Sequence, residues 1–275
     1  MLIDIHTHLD QYGASELPGI VARARAAGVG AIVAAGTTVE SSRRCVALAR
    51  EFPEVLAGVG AHPADLRGEL SEAELDELSR LAEDERVVVM SETGLDRSEG
   101  APDFGVQERA FRAQIGLARW HGLAVVFHDR GATEEVLRVL AEEGAGQVGG
   151  AAHYFQSDLR TAERLIELGF HISLGKPLLR LPELEEVARR VPMDRIVLET
   201  DSYPQPFTRK RDRWTEPRDV ALVAARLAEV RGATVREVEQ RTTENALRMF
   251  RRRRRAAPAV PAPPGLRGGR GETGR

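Results

Sequence analysis

The chain has 275 residues, 42% of them hydrophobic, enough to bury a substantial core as two ordinary domains or as one large α/β barrel. Its single cysteine, Cys45 in the helical-looking ESSRRCVALAR, excludes an intrachain disulfide and a cysteine-based zinc site, and reads as a small buried hydrophobe. The net charge of −3 is uneven: residues 251–275 hold eight Arg and one Glu, which leaves the preceding 250 at −10, a poor balance for gripping long nucleic acid by charge alone.

The first informative stretch is Ile3 to Asp10, IDIHTHLD. Alternation along an extended strand places Asp4, His6 and His8 on one face and Ile3 and Ile5 on the other. Two imidazoles on one face at a strand end can reach a single divalent ion. The same stretch breaks its apolar run with Asp4 and His6, and nowhere do 18 apolar residues run together, so the expectation is a soluble cytoplasmic protein with no membrane partner.

Short apolar runs then recur at Leu2 to Ile5, Val29 to Ala35, Val55 to Ala61, Val87 to Met90, Ala124 to Phe127, Val148 to Ala152, Phe170 to Leu174 and Ile196 to Leu198. Amphipathic helical patterns separate them. Ser71 with Glu74 makes a capping box, Ser157 opens a helix that Gly169 closes, and Thr234 with Glu237 makes a second box near the end. Near-continuous apolar strands between helices describe a parallel sheet, and eight such units predict a (β/α)8 TIM barrel over residues 1–250. Two extra helical segments follow the eighth strand, from Glu216 to Val230 and from Thr234 to about Met249. A doubly wound sheet is disfavoured because GVGAHP, at Gly58 to Pro63, lacks the third glycine of a phosphate-binding turn. Residues 251–275, rich in Arg, Pro and Gly, read as a disordered tail whose arginines form a solvated helix end rather than a nucleic-acid arm.

Active sites of such barrels lie at the carboxyl ends of the strands. There the chain delivers His6 and His8, His62, Glu92, His128, His153 and Asp201, so five of its seven histidines fall at strand ends. Chance would scatter them, and the coincidence favours metal binding. His121, before Gly122 at a helix end, and His171, inside the seventh strand, read as structural.

At this point the sequence resembles the TatD-type metal-dependent hydrolases, best known as deoxyribonucleases, on an amidohydrolase-like barrel. The resemblance rests on DIHTHLD, GAHP at Gly60, SETGLD at Ser91, QERAFRAQIGLA at Gln107, VFHDR at Val126, the strand ending in His153, LETD at Leu198 and ENALRMF at Glu244. It implies two divalent ions, Zn, Mn or Mg: one held by His6, His8, Glu92 and Asp201, the other by His128 and His153, with Glu92 bridging. Two metals about 3.5 to 4 Å apart suit phosphodiester hydrolysis, with Asp201 as ligand and general base. His62 and Arg130 are the candidate contacts to substrate oxygens; the equal alternative for His62 is to order its loop, and the alternative for Arg130 is to pair with Asp96 or Glu199. Asp4 is expected to orient His6 from behind, and Asn245 to tie the last helix to the barrel.

The chain departs from the family pattern at the rim. Ser91 stands where Gly is usual, RSEGAPDFG follows Asp96, Tyr154 and Phe155 follow the sixth-strand histidine, and DSYPQP replaces DAPYL. Aromatics are scarce at 5%, with Trp214 and Tyr203 as the rim candidates for stacking on bases and packing under the last helices as the equal alternative for Trp214. The resulting expectation is a DNA phosphodiesterase that needs no obligate protein partner. The alternatives are a metal-dependent ester hydrolase, such as a D-aminoacyl-tRNA deacylase, and a catalytically silent metal-bearing binding module.

Overall fold

The computed structural model describes residues 1–208 and 210–251. Eight strands form one parallel sheet in sequence order: β1 Leu2–Thr7, β2 Val29–Ala35, β3 Val55–Val59, β4 Val87–Asp96, β5 Ala124–Arg130, β6 Gly150–Ala152, β7 Phe170–Leu174 and β8 Ile196–Leu198. The helices between and after them are α1 Leu17–Ala26, α2 Val39–Glu51, α3 Glu72–Leu81, α4 Phe104–His121, α5 Thr133–Glu142, α6 Leu159–Glu167, α7 Glu183–Arg190, α8 Val220–Arg231 and α9 Val235–Met249. The barrel closes beyond β8, where Thr7 bridges Ser202, the His8 N–H donates to the Ser202 carbonyl at 2.8 Å and the Asp201 N–H to the His6 carbonyl at 3.0 Å. The expected (β/α)8 barrel with two C-terminal helices is therefore the observed fold. The predicted tail lies outside the described residues but for Arg251.

Two apolar layers hold it. The larger packs helices against the outside of the sheet, with Phe111, Phe127 and Phe170 fully buried. The smaller fills the barrel: Ile3, Ile5, Val33, Val89, Val126, Ala151 and Val197 meet one another and Ala246 and Met249 of α9, which plugs the amino-terminal end. Asn245 fixes that plug, donating through Nδ2 to the carbonyls of Met193 and Ile196 at 2.8 and 2.7 Å.

Both predicted capping boxes are present, at Ser71–Glu74 and Thr234–Glu237. The α6 cap is Asp158 rather than Ser157: its carboxylate accepts the Thr161 N–H at 2.8 Å, the stronger of two adjacent capping acceptors. β4 runs six residues past the predicted Met90, because its pairing with β5 slips between Met90 and Thr93 and then resumes through Asp96.

Candidate metal centre

Strict alternation would turn His6 away from the barrel interior that Ile3 and Ile5 fill. The β1–β2 pairing slips between Asp4 and Thr7, and past that slip His6 and His8 both arrive at the mouth beside Glu92. The shared imidazole face is thus real, but it is made by an irregular strand rather than a regular one. β4 carries Glu92 through its own slip, β5 carries His128, and His153 and Asp201 stand just past the ends of β6 and β8.

Glu92 is the hub. Its Oε2 lies 3.3 Å from His6 Nε2 and 3.5 Å from His8 Nε2, while its Oε1 lies 3.4 Å from His128 Nδ1, 3.5 Å from His153 Nε2 and 3.4 Å from His62 Nε2. Asp201 Oδ1 faces His8 Nε2 at 3.2 Å and His153 Nε2 at 3.9 Å. The four imidazoles of the predicted set, with His62, therefore converge on the Glu92 carboxylate, and Asp201 faces two of them.

The hydrogen bonds behind the rings decide which nitrogen faces the site with a lone pair. His128 donates through Nε2 to Asp96 Oδ2 at 2.8 Å, which leaves Nδ1 facing Glu92. His153 donates through Nδ1 to Glu199 at 3.1 Å, which leaves Nε2. Ser173 Oγ, at 2.6 Å, holds Glu199 in turn. His6 has Nδ1 against Ser91 Oγ at 3.4 Å, and its buried Nε2 finds no hydrogen-bond partner. A buried nitrogen without a partner is costly in a metal-free protein and expected in a metal ligand. His62 is arranged the other way: its Nδ1 accepts the Ala64 N–H at 3.1 Å, so the neutral ring carries its proton on Nε2 and offers a donor, not a ligand. Four imidazole lone pairs and two carboxylates make a donor set that fits borderline divalent ions.

The charges agree. Burial alone would raise the Glu92 carboxyl, but the surrounding imidazoles bring it well below the usual carboxylate range, and His8 and His153 likewise keep Asp201 low against its burial. Burial opposes charge on His8 and His153 too, yet Asp201 and Glu92 raise the first to about 9, and Glu199 and Glu92 the second to about 10. Burial and its imidazole neighbours lower His6. Two non-glycine residues here take left-handed backbone, Tyr154 at φ 46° and Asp201 at φ 52°, a strained conformation found most often at sites.

Other expectations fare unevenly. The Asp4 carboxylate does not touch the His6 ring: it accepts the His6 backbone N–H at 3.3 Å and both the N–H and hydroxyl of Thr200, at 3.0 and 2.5 Å, and so fastens β1 to the start of the β8 loop. Ser91 is the residue at the ring. Arg130 pairs with Asp96 at 3.5 Å, with its guanidinium largely exposed at the mouth. His121 accepts or donates to Ser79 Oγ at 2.8 Å, and His171 donates to the Gly150 carbonyl at 3.1 Å, both structural as expected. Trp214 is no rim residue: it packs on the core, donates Nε1 to the Thr208 carbonyl at 3.0 Å and carries Arg211 over its ring at 4.6 Å. Sequence reasoning missed Asp96 and Glu199 as orienting carboxylates, although both stand inside the quoted motifs, SETGLD and LETD.

The mouth opens into a cavity of about 920 Å³ that Glu92, Asp201, His62, Arg130 and Tyr203 help to line. No described helix is long and apolar enough to cross a membrane. The sequence pattern of the family described as TatD related DNase matches residues 3–251. The chain is 36% identical over 258 residues to an uncharacterized metal-dependent hydrolase, YabD, of Bacillus subtilis, covering 91% of this chain and 99% of that one. It is 30% identical over 244 residues to the 3'-5' ssDNA/RNA exonuclease TatD of Salmonella typhimurium, covering 86% and 94%. Its fold superposes on the crystal structure of the Escherichia coli TatD homolog YjjV with a TM-score of 0.82 at 29% identity, covering 90% and 97%. A match of that extent, on a barrel whose mouth gathers imidazoles around one glutamate, makes this chain a member of the TatD-related DNase family of metal-dependent hydrolases.

Proposed function

We propose that the protein is a divalent-metal-dependent phosphodiesterase acting on DNA, in which Glu92 would help to hold two ions. The observation that carries this reading is the division of labour at Glu92, whose two oxygens face two different sets of imidazoles. His6, His8, Asp201 and Glu92 would hold one ion and His128, His153 and Glu92 the other; His6, His8 and Glu92 lie within reach of one ion, as do Glu92, His128 and His153, while His153 also lies within reach of His6 and Asp201. Bound there, such a pair supplies Lewis acidity that activates water near neutral pH and neutralises charge on the phosphoryl oxygens.

The chain's own groups do the rest. Asp201, deprotonated at neutral pH, accepts the proton of the attacking water. His62 donates from Nε2 to a substrate oxygen, with Ala64 holding its tautomer. The exposed guanidinium of Arg130, steered by Asp96, takes a phosphate oxygen. Asp96 and Glu199 keep the rings of His128 and His153 turned inward.

The test is elemental analysis of protein purified without added metal, then reconstitution with Zn, Mn or Mg and assay on bis(p-nitrophenyl) phosphate, a single-stranded oligonucleotide and an aminoacyl ester. Two ions per chain and phosphodiester cleavage are expected. Cleavage of the ester alone would replace the nuclease reading with an ester hydrolase. Asp201→Asn that kept both ions and full turnover would remove Asp201 as the base.

A further inference from the structure

The segment between β8 and α8 carries a feature that the metal site does not use. Phe207 is 74% exposed, more than any other large apolar side chain among the described residues, and it lines the same cavity as Glu92 and Asp201. Leu179, 41% exposed, lines that cavity as well. Exposed apolar groups at a polar mouth mark a ligand surface more readily than isolated ones elsewhere.

The loop does not present Phe207 by slackness. The Thr208 N–H donates to the Gln205 carbonyl at 2.8 Å, Trp214 Nε1 holds the Thr208 carbonyl, and Gln205 meets Thr215 through its side chain on both sides at 3.4 Å. Arg211 locks the far limb to Glu16 and Glu216 at 2.8 and 2.9 Å. The ring is therefore held outward by a tied frame.

Cations accompany it. Arg180 and Arg213 line the cavity, both exposed, and neither has a carboxylate partner among the described residues. Arginines on the flanks are engaged: Arg112 pairs with Glu108, Glu142 and Glu143, and Arg138 with Glu108 and Glu142. An exposed aromatic ring and two guanidinium groups without carboxylate partners among the described residues, all lining one cavity, match a base and its phosphates. A duplex hides base faces, so the match is to a single strand.

We infer that Phe207, with Arg180 and Arg213, forms a strand-binding rim that stacks one base of a single-stranded nucleic acid and holds its neighbouring phosphates while the ester enters the metal centre. This rests on the phosphodiesterase reading for the purpose of the rim, not for its existence as a binding surface.

The experiment is fluorescence anisotropy of the metal-loaded protein with a labelled, hydrolysis-resistant phosphorothioate decathymidylate, and with the same backbone made abasic. Phe207→Ala weakens decathymidylate by about five- to a hundred-fold, as loss of one stacked base does, and leaves the abasic strand unaffected; Phe207→Trp restores binding. Arg180→Gln and Arg213→Gln weaken both strands alike and each flatten the salt dependence by about 0.7 in log–log slope, whereas Phe207→Ala leaves that slope unchanged. Wild-type affinity in Phe207→Ala, or equal losses on the two strands, overturns the stacking rim. Hydrolysis of bis(p-nitrophenyl) phosphate by the wild type is read separately: its absence with Phe207-dependent binding removes the phosphodiesterase and keeps the rim, and its presence with Phe207-independent binding does the reverse.

Discussion

One set of strands builds two unlike interiors. The amino-terminal half of the barrel is aliphatic, with Ile3, Ile5, Val33, Val126 and Val197 sealed beneath by Ala246 and Met249 of α9. The carboxyl-terminal half, a few residues further along the same strands, holds imidazoles and carboxylates around Glu92. The lower half gains stability by removing carbon from water, whereas the upper half spends it on buried polar groups, including a His6 nitrogen that faces Glu92 without a hydrogen bond. Stability and chemistry are thus separated along each strand, and a substitution in one half should leave the other's readout unmoved.

The sharpest test of that separation is Glu92→Gln. Losing the shared charge should abolish the stoichiometric binding of two ions and lower phosphodiester turnover by about a thousand-fold or more, comparable to losing a transition-state charge stabiliser. The metal-free variant should still melt cooperatively, because the lower interior is untouched. A metal-free Glu92→Gln that does not fold would join the two halves.

Met249→Ala probes the other side. Truncating a buried methionine costs about 2 to 5 kcal/mol, and the partial exposure of Met249 puts it at the lower end. Chemical denaturation should show that loss with metal stoichiometry unchanged. Next in size is Glu199→Gln, which removes the carboxylate behind His153 but not a ligand; calorimetric titration should find metal affinity reduced by about 10- to 100-fold.

Alkaline pH probes the upper half through the protons its imidazoles hold. In the metal-free protein the carboxylates raise His8 to about 9 and His153 to about 10, from an ordinary value of 6.5. Their favourable contribution is complete below about pH 6.5, where folded and unfolded chains are both protonated, and disappears as pH rises through 9 and 10. Ion binding requires neutral imidazoles, so the metal-loaded protein lacks this alkaline loss and releases protons on loading. Melting temperatures of the two forms compared from pH 6 to 10.5 should diverge at the alkaline end.

The lower interior and the side chains that meet at the mouth were both legible in the sequence, for the same reason: each is written locally. Apolar runs mark strands, and β2, β7 and β8 begin and end where those runs do. Histidine at a strand end marks a candidate ligand without any knowledge of its partners. What was not legible depends on pairs far apart in the chain. Asp96 behind His128 and Glu199 behind His153 become visible only when neighbouring strands are in register. The slips in β1 and β4 are likewise products of pairing, since IDIHTHLD read alone alternates without fault. Phe207 was missed because its segment has no periodicity to read, while Trp214, the bulkier aromatic, turned inward to brace that segment.

The seam between β1 and β8 sets the order in which this protein matures. Translation delivers His6 and His8 first, but their partner Asp201 emerges some two hundred residues later, and the Asp4–Thr200 and His8–Ser202 contacts cannot form before it. A chain made only as far as its seventh strand still lacks Asp201, the carboxylate that faces His8. The set of groups at the mouth is therefore complete only when the last strand docks.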